Sequence, residues 1–165
     1  MSQLSSTPKS LGQQVSKTMS AYYSLSTQEH RDLKNATHYT WHMLDKVYHS
    51  ESMHEMQVNA DLQGVDLCNP HVLLFLAKET AYHHAYWPHT AKRFLAFKNI
   101  LRRNKDVRKS LRDGIFMEML AKHLSVVDFD IGNDLMYDTP GRKQEIKNLK
   151  QLVGIVEKAM KANEA

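Results

Sequence analysis

Apolar residues recur at three- and four-residue intervals along most of the chain, the period of helices that bury one face. A Ser/Thr-rich stretch over residues 1–10 reads as a flexible N-terminus, and the pattern then predicts a first helix from Leu11 to Tyr23. Ser26 and Glu29 have the S-x-x-E spacing of a capping box, in which hydroxyl and carboxylate each satisfy an orphan backbone N–H. The helix opened there should run to His49, because Leu33, Ala36, Thr40, Met43, Leu44 and Val47 share one face at about 100° per residue. A shorter helix over residues 51–62 should stop at Gly64, a residue suited to a left-handed cap.

Asn69-Pro70 reads as an N-cap followed by proline at the first helical position. The helix it opens carries Leu73, Leu74 and Ala77 and should end before Pro88, and another is expected from His89 to Arg103. Asn104-Lys105-Asp106 marks a break with Asp106 as the next cap, and the following helix is expected to reach Leu124. Asp128, Asp130, Asp134 and Asp138, with Gly132 and Asn133, mark residues 125–139 as an irregular connection. Thr139-Pro140 then repeats the cap-and-proline signature. The last helix places Ile146, Leu149, Val153, Val156 and Met160 at alternating intervals of three and four, widened by Leu152 and Ile155. A stripe that broad suits docking on the chain's own core better than the narrow seam of a coiled coil. An oligomer contact through this helix is the alternative.

No period-two alternation lasts long enough for a strand. The expected fold is therefore all-α: a compact bundle of six or seven helices, with residues 11–165 as a single helical domain. Six Gly and four Pro in 165 residues agree with helices on short connections. Cys68 is the sole cysteine, which rules out an intramolecular disulfide and points to a reducing, cytoplasmic setting. The longest uninterrupted apolar run, Val72 to Ala77, is too short to cross a bilayer, so no membrane partner is expected.

Charge changes this picture. The whole chain carries a net +4, yet the window 92–112 holds nine Lys/Arg against Asp106 alone, so the remainder sums to −4. On one continuous helix Lys98, Arg102, Lys105, Lys109 and Arg112 would fall within about 80° of arc, beside an apolar arc of Phe97, Ile100, Leu101, Val107, Leu111 and Ile115. Solubilising faces normally mix signs to gain i,i+4 pairs, and this one scarcely does. The expectation is a non-enzymatic nucleic-acid-binding protein, DNA or RNA, that meets backbone phosphates through Lys98, Arg102, Arg103, Lys105, Arg108, Lys109 and Arg112. With so small a basic face it would serve as a subunit of a larger nucleoprotein assembly. A scaffold domain binding an acidic protein partner is the second reading.

Ten histidines raise a third reading, a His/Glu metal-binding bundle. His38, His42 and His49, with Asp45, would line one helix face, but one turned away from the apolar stripe, whereas a bundle metal site points inward. Glu51 and His54 have the E-x-x-H spacing of di-iron bundles without the second such motif. His83 and His84 lie among Tyr82, Tyr86 and Trp87, where ring packing accounts for them. No metal and no cofactor is therefore expected. His30-Arg31-Asp32-Leu33-Lys34 copies the start of a kinase catalytic loop, but Thr37 stands where the metal-binding Asn belongs. Arg31 and His38 fit a loose ribonuclease-like spacing too permissive to count. Cys68 beside the Asn69 cap could have its thiol acidified, although a packed role is the expectation. No catalytic residue is assigned.

Overall fold

The computed structural model describes residues 27–132 and 139–164. Among them are eight helices, α1 Thr27–Thr37, α2 Trp41–Tyr48, α3 Met53–Gln63, α4 Pro70–Tyr86, α5 Ala91–Arg103, α6 Lys105–Ser110, α7 Ile115–Gly132 and α8 Thr139–Glu164, with single 3₁₀ turns at Pro88–Thr90 and Leu111–Asp113. No strand occurs among the described residues, and the all-α expectation holds. The flexible N-terminus and the helix expected over 11–23 lie outside them.

The helix ends are set by local chemistry. Asn69 accepts from the His71 N–H at 2.8 Å ahead of Pro70, and Gly64 closes α3 at φ 68°. Ser52 Oγ accepts from the Glu55 N–H, while the Glu55 carboxylate reaches back to the Glu51 N–H at 2.6 Å. That reciprocal arrangement, a variant of the capping box, starts α3.

Four expectations about helix bounds need correction. The helix expected from Ser26 to His49 is two, because His38 takes a left-handed φ of 65°. Thr37 Oγ1 accepts from the Tyr39 N–H there, and the Tyr39 hydroxyl accepts from the Asp66 N–H at 2.9 Å, so a distant loop fixes the break. At the second break the cap is Asn104, whose side chain accepts from the Val107 N–H at 3.0 Å, and not Asp106. Gly114 at φ 76° then ends the 3₁₀ turn and splits what was expected as one helix. Finally, α7 runs to Gly132, with Val127 buried inside the stretch expected to be irregular. Residues 133–138 lie outside the described part.

α4 is apolar nearly all round and is the central helix: Val72, Leu73, Phe75, Leu76, Ala77 and Ala81 are all buried. α8 packs along α4 and α7 and also touches α5 and α6, burying Leu149, Leu152, Val156 and Ala159. The wide apolar stripe of the last helix is thus spent on several neighbours within the chain. Tyr48, Phe94, Phe97 and Phe116 join the same core cluster.

Candidate nucleic-acid interface

The seven expected phosphate contacts come from three short elements. Lys98, Arg102 and Arg103 stand on the second half of α5, Lys105, Arg108 and Lys109 on α6, and Arg112 in the 3₁₀ turn. Asn104, extended at φ −77° and ψ 116°, separates α5 from α6, so the continuous five-residue row does not exist. Two clusters replace it. Arg102, Arg103, Lys105, Lys109 and Arg112 are exposed. Lys98 is half-buried with its Nζ 4.5 Å from the Phe94 ring centre, and burial, helped by Arg102, lowers its pKa. It belongs to packing more than to the outer surface.

Arg108 ties the clusters together. One guanidinium nitrogen donates to the Arg102 carbonyl at 3.0 Å, and the Arg108 carbonyl accepts from Asn163 Nδ2 at 2.6 Å. The turn from α5 into α6 is thereby fastened to the C-terminal end of α8. Between the three helices lies a hollow of about 460 Å³, lined by Arg102, Arg108, Gln151 and Lys158 over a floor of Leu101, Ile155 and Ala159. Three cations and no carboxylate face it. Gly154 on its rim is exposed, and a Cβ built there would meet nothing within 4 Å.

Charge reasoning confined to residues 92–112 misses the contribution of α8. Lys143, Lys147, Lys150, Lys158 and Lys161 are exposed and, with Gly154, fall within about 80° of arc over about 27 Å of helix. Glu157 edges that row. The spacing of these lysines is present in the sequence, and of the row it is Lys158 that the fold sets beside Arg102 and Arg108. No residue of either basic group has an ion-pair partner among the described residues.

Another set of charges lies in and beside the core, with pairings that the sequence does not reveal. Glu79 is fully buried and its carboxylate lies 3.1 Å from His83 Nε2. Lys78 Nζ donates to Glu29 Oε2 at 2.6 Å, joining α4 to α1. Glu145, also buried, is held by Arg142, whose guanidinium lies 5.0 Å from the Tyr82 ring centre. Burial, with Glu79 nearby, pushes the Glu145 carboxyl up against the pull of Arg142. Asn148 Nδ2 donates to the Ala81 carbonyl at 3.0 Å. His123 faces the same group, and burial, with Lys78 and Arg142 beside it, holds its imidazole down to about 4. Glu79, Glu145 and Asn148 are thus held within the packing, while His83 also borders a hollow at the end of α4.

The other sequence candidates disperse. The break at His38 removes His38 from the face that would align it with His42, Asp45 and His49. Glu51 and His54 are exposed, and Glu51 is engaged through its backbone in the α3 cap. Among the described residues no three of His, Cys, Asp and Glu converge as a metal-ligand set. Cys68 is half-buried, and burial, with Asp66 and Asp106 nearby, raises its thiol pKa, which corrects the idea of an acidified thiol. No described helix is long and apolar enough to cross a membrane. Comparison with protein-family models, curated proteins and solved structures finds no match.

Proposed function

We propose that the protein binds nucleic acid through backbone phosphates, without base-specific reading, along the seam where α5 and α6 meet α8. The observation that carries this reading is the carboxylate-free hollow of Arg102, Arg108 and Lys158, on elements that also bear the exposed Lys105, Lys109 and Arg112 and the exposed lysines of α8. Self-repelling cations without acids weaken the helices that bear them. A polyanion offsets that repulsion and releases its condensed counterions on binding. Arg and Lys heads on long stems adjust to phosphates along a strand, so the surface needs no single register. The seam covers one side of a small protein, which suits a subunit of a larger nucleoprotein assembly in the cytoplasm.

Anisotropy of a labelled random-sequence oligonucleotide, measured against salt, tests this. The log–log slope should correspond to roughly four to six phosphate contacts at ~0.9 each. Replacing Arg102, Lys105, Lys109 and Arg112 with Gln should flatten it while helical circular dichroism is retained. An unchanged slope would remove the reading. No binding even at low salt would favour the scaffold alternative, with an acidic protein on the same cations.

A further inference from the structure

At the other end of α5, about 14 Å along its axis from Arg102, a second hollow opens that has no part in the basic seam. Its volume is about 240 Å³, and three regions build it: Tyr48 and the cap residue His49 at the end of α2, His83 and the cap residue Trp87 at the end of α4, and His89 and Thr90 in the following turn with Arg93 of α5. That is smaller than the roughly 300–1,000 Å³ of pockets for drug-sized ligands, and leaves room for a charged head group with one small ring.

The walls are specific. Arg93 lies with its guanidinium carbon 5.0 Å from the Tyr48 ring centre and donates to the Tyr48 hydroxyl at 3.4 Å. Its Nε is buried and has no hydrogen-bond partner among the described residues. The protein thus leaves part of this guanidinium's hydrogen-bonding capacity unused, and Arg93 lines the hollow. Across the hollow, His49 Nδ1 lies 2.8 Å from the Asp45 carbonyl and 3.2 Å from the Asp45 carboxylate. The bond to Asp45 raises the His49 pKa against burial and the nearby Arg93 charge. His83 presents a ring backed by buried Glu79, with its centre 5.1 Å from that of Tyr48 and 5.2 Å from that of Trp87. No acidic residue lines the space: Asp45 and Glu79 stand behind the histidines they hold.

Three histidines in one pocket suggest a metal, but they do not converge as a ligand set, and a guanidinium beside them repels a cation. The same features favour an anion. We propose that the hollow bounded by Tyr48, His49, His83, Trp87, His89 and Arg93 binds a small oxyanion, the phosphate or carboxylate head of a ligand whose flat organic part lies on Trp87. Arg93 supplies the fixed charge and His49 a second one that comes with protonation. The groups facing His49 are Asp45 and Tyr48 on α2, Arg93 on α5, His89 in the turn and the His83–Glu79 pair on α4. Of these, Asp45 favours the charged ring and Arg93 opposes it. Occupancy should therefore rise as pH falls.

Isotope-labelled full-length protein titrated with sodium sulfate, against sodium chloride at equal ionic strength, gives the test. Sulfate stays a dianion from pH 6 to pH 8, so any pH dependence belongs to the protein. The Arg93 Nε–H and the His49 ring signals should shift together and saturate, with binding about fivefold tighter at pH 6 than at pH 8. Phenyl phosphate and benzoate should both compete with sulfate, and the tighter of the two identifies the head group. R93Q should abolish saturation, and exposed His49 gives a milder variant, H49Q, that should keep the fold and lose the pH dependence. Sulfate shifts no larger than those in chloride, saturation that survives R93Q, or an unchanged pH dependence in H49Q would each overturn the proposal. The seam residues take no part in these signals, so this result and that of the oligonucleotide experiment stand apart.

Discussion

On the inner face of α8, Glu145 and Asn148 are buried and held, one by Arg142 and the other by the Ala81 carbonyl of α4. On its outer face five lysines stand in solvent, and none has an ion-pair partner among the described residues. Both sets are polar residues on one helix, yet their positions in the energetics differ. The inner groups need partners, because a buried polar group without one loses its hydration and gains nothing in return; Asn148 and Glu145 Oε1 have them, while Glu145 Oε2 has none among the described residues. The outer groups carry no such demand, and stability does not explain their shared sign. The comparison separates charge that serves the fold from charge available to a partner.

The sharpest way to break that comparison is to delete apolar contact on one side and charge on the other within a single turn. Leu149→Ala should lower stability in urea by about 3 kcal/mol, from lost transfer energy and the cavity left behind. Lys147→Ala should stay within about 0.5 kcal/mol. The Leu149 loss should be independent of protein concentration, since contacts within one chain have no mass-action term. A concentration-dependent loss would make α8 a subunit seam.

Next in size is an effect of pH on the interior. His123 has its Nε2 buried without a hydrogen-bond partner, and its folded pKa of about 4 lies below the ordinary 6.5. A lowered histidine pKa means that the unfolded chain binds the proton first, so stability falls as pH drops below 6.5 and levels off below the folded value. At pH 5 the loss attributable to this residue is about 2 kcal/mol relative to pH 8. His123→Leu should remove that part of the acid sensitivity, as urea midpoints at the two pH values would reveal. An equal pH response in both proteins would mean that His123 is not kept neutral.

The smallest effects on stability belong to the outer row, where they should coincide with clear effects on binding. Lys150→Gln and Lys158→Gln should each leave the melting temperature nearly unchanged and reduce the salt slope of oligonucleotide binding by about one. A variant that lost stability without changing the slope would place that lysine on the structural side of the comparison.

Much of the fold was legible in the sequence because its signals are local. Asn69-Pro70 and Gly64 end or begin helices through their own side chains or backbone, and nothing distant is needed to read them. The break at His38 could not be read the same way, since its support includes a hydrogen bond from the Asp66 backbone to Tyr39, 27 residues on. Asn104 and Asp106 are both competent caps, and only the geometry of the turn decides for Asn104. The buried Val127 carries α7 through an aspartate-rich stretch whose composition favours turns. For the candidate site, the basic residues of α5 and α6 were visible as a count, but their division at Asn104 was not. The α8 row and the hollow it shares with Arg102 and Arg108 depend on which helices are neighbours, a property that no single helix's periodicity contains. The Glu79–His83 pair has the i,i+4 spacing of any helical contact; its burial comes from the central place of α4.

Gly154 gives this arrangement an unusual degree of independence. A glycine inside a helix is less favourable than alanine by about 1 kcal/mol, and here a methyl group would touch nothing. Core packing therefore does not require it, while the absence of a side chain keeps the rim of the Arg102–Arg108–Lys158 hollow low. Position 154 works as an adjustable sill: each carbon added there narrows the opening while leaving the buried side of α8 intact. A single substitution there reshapes the hollow without touching the protein's interior.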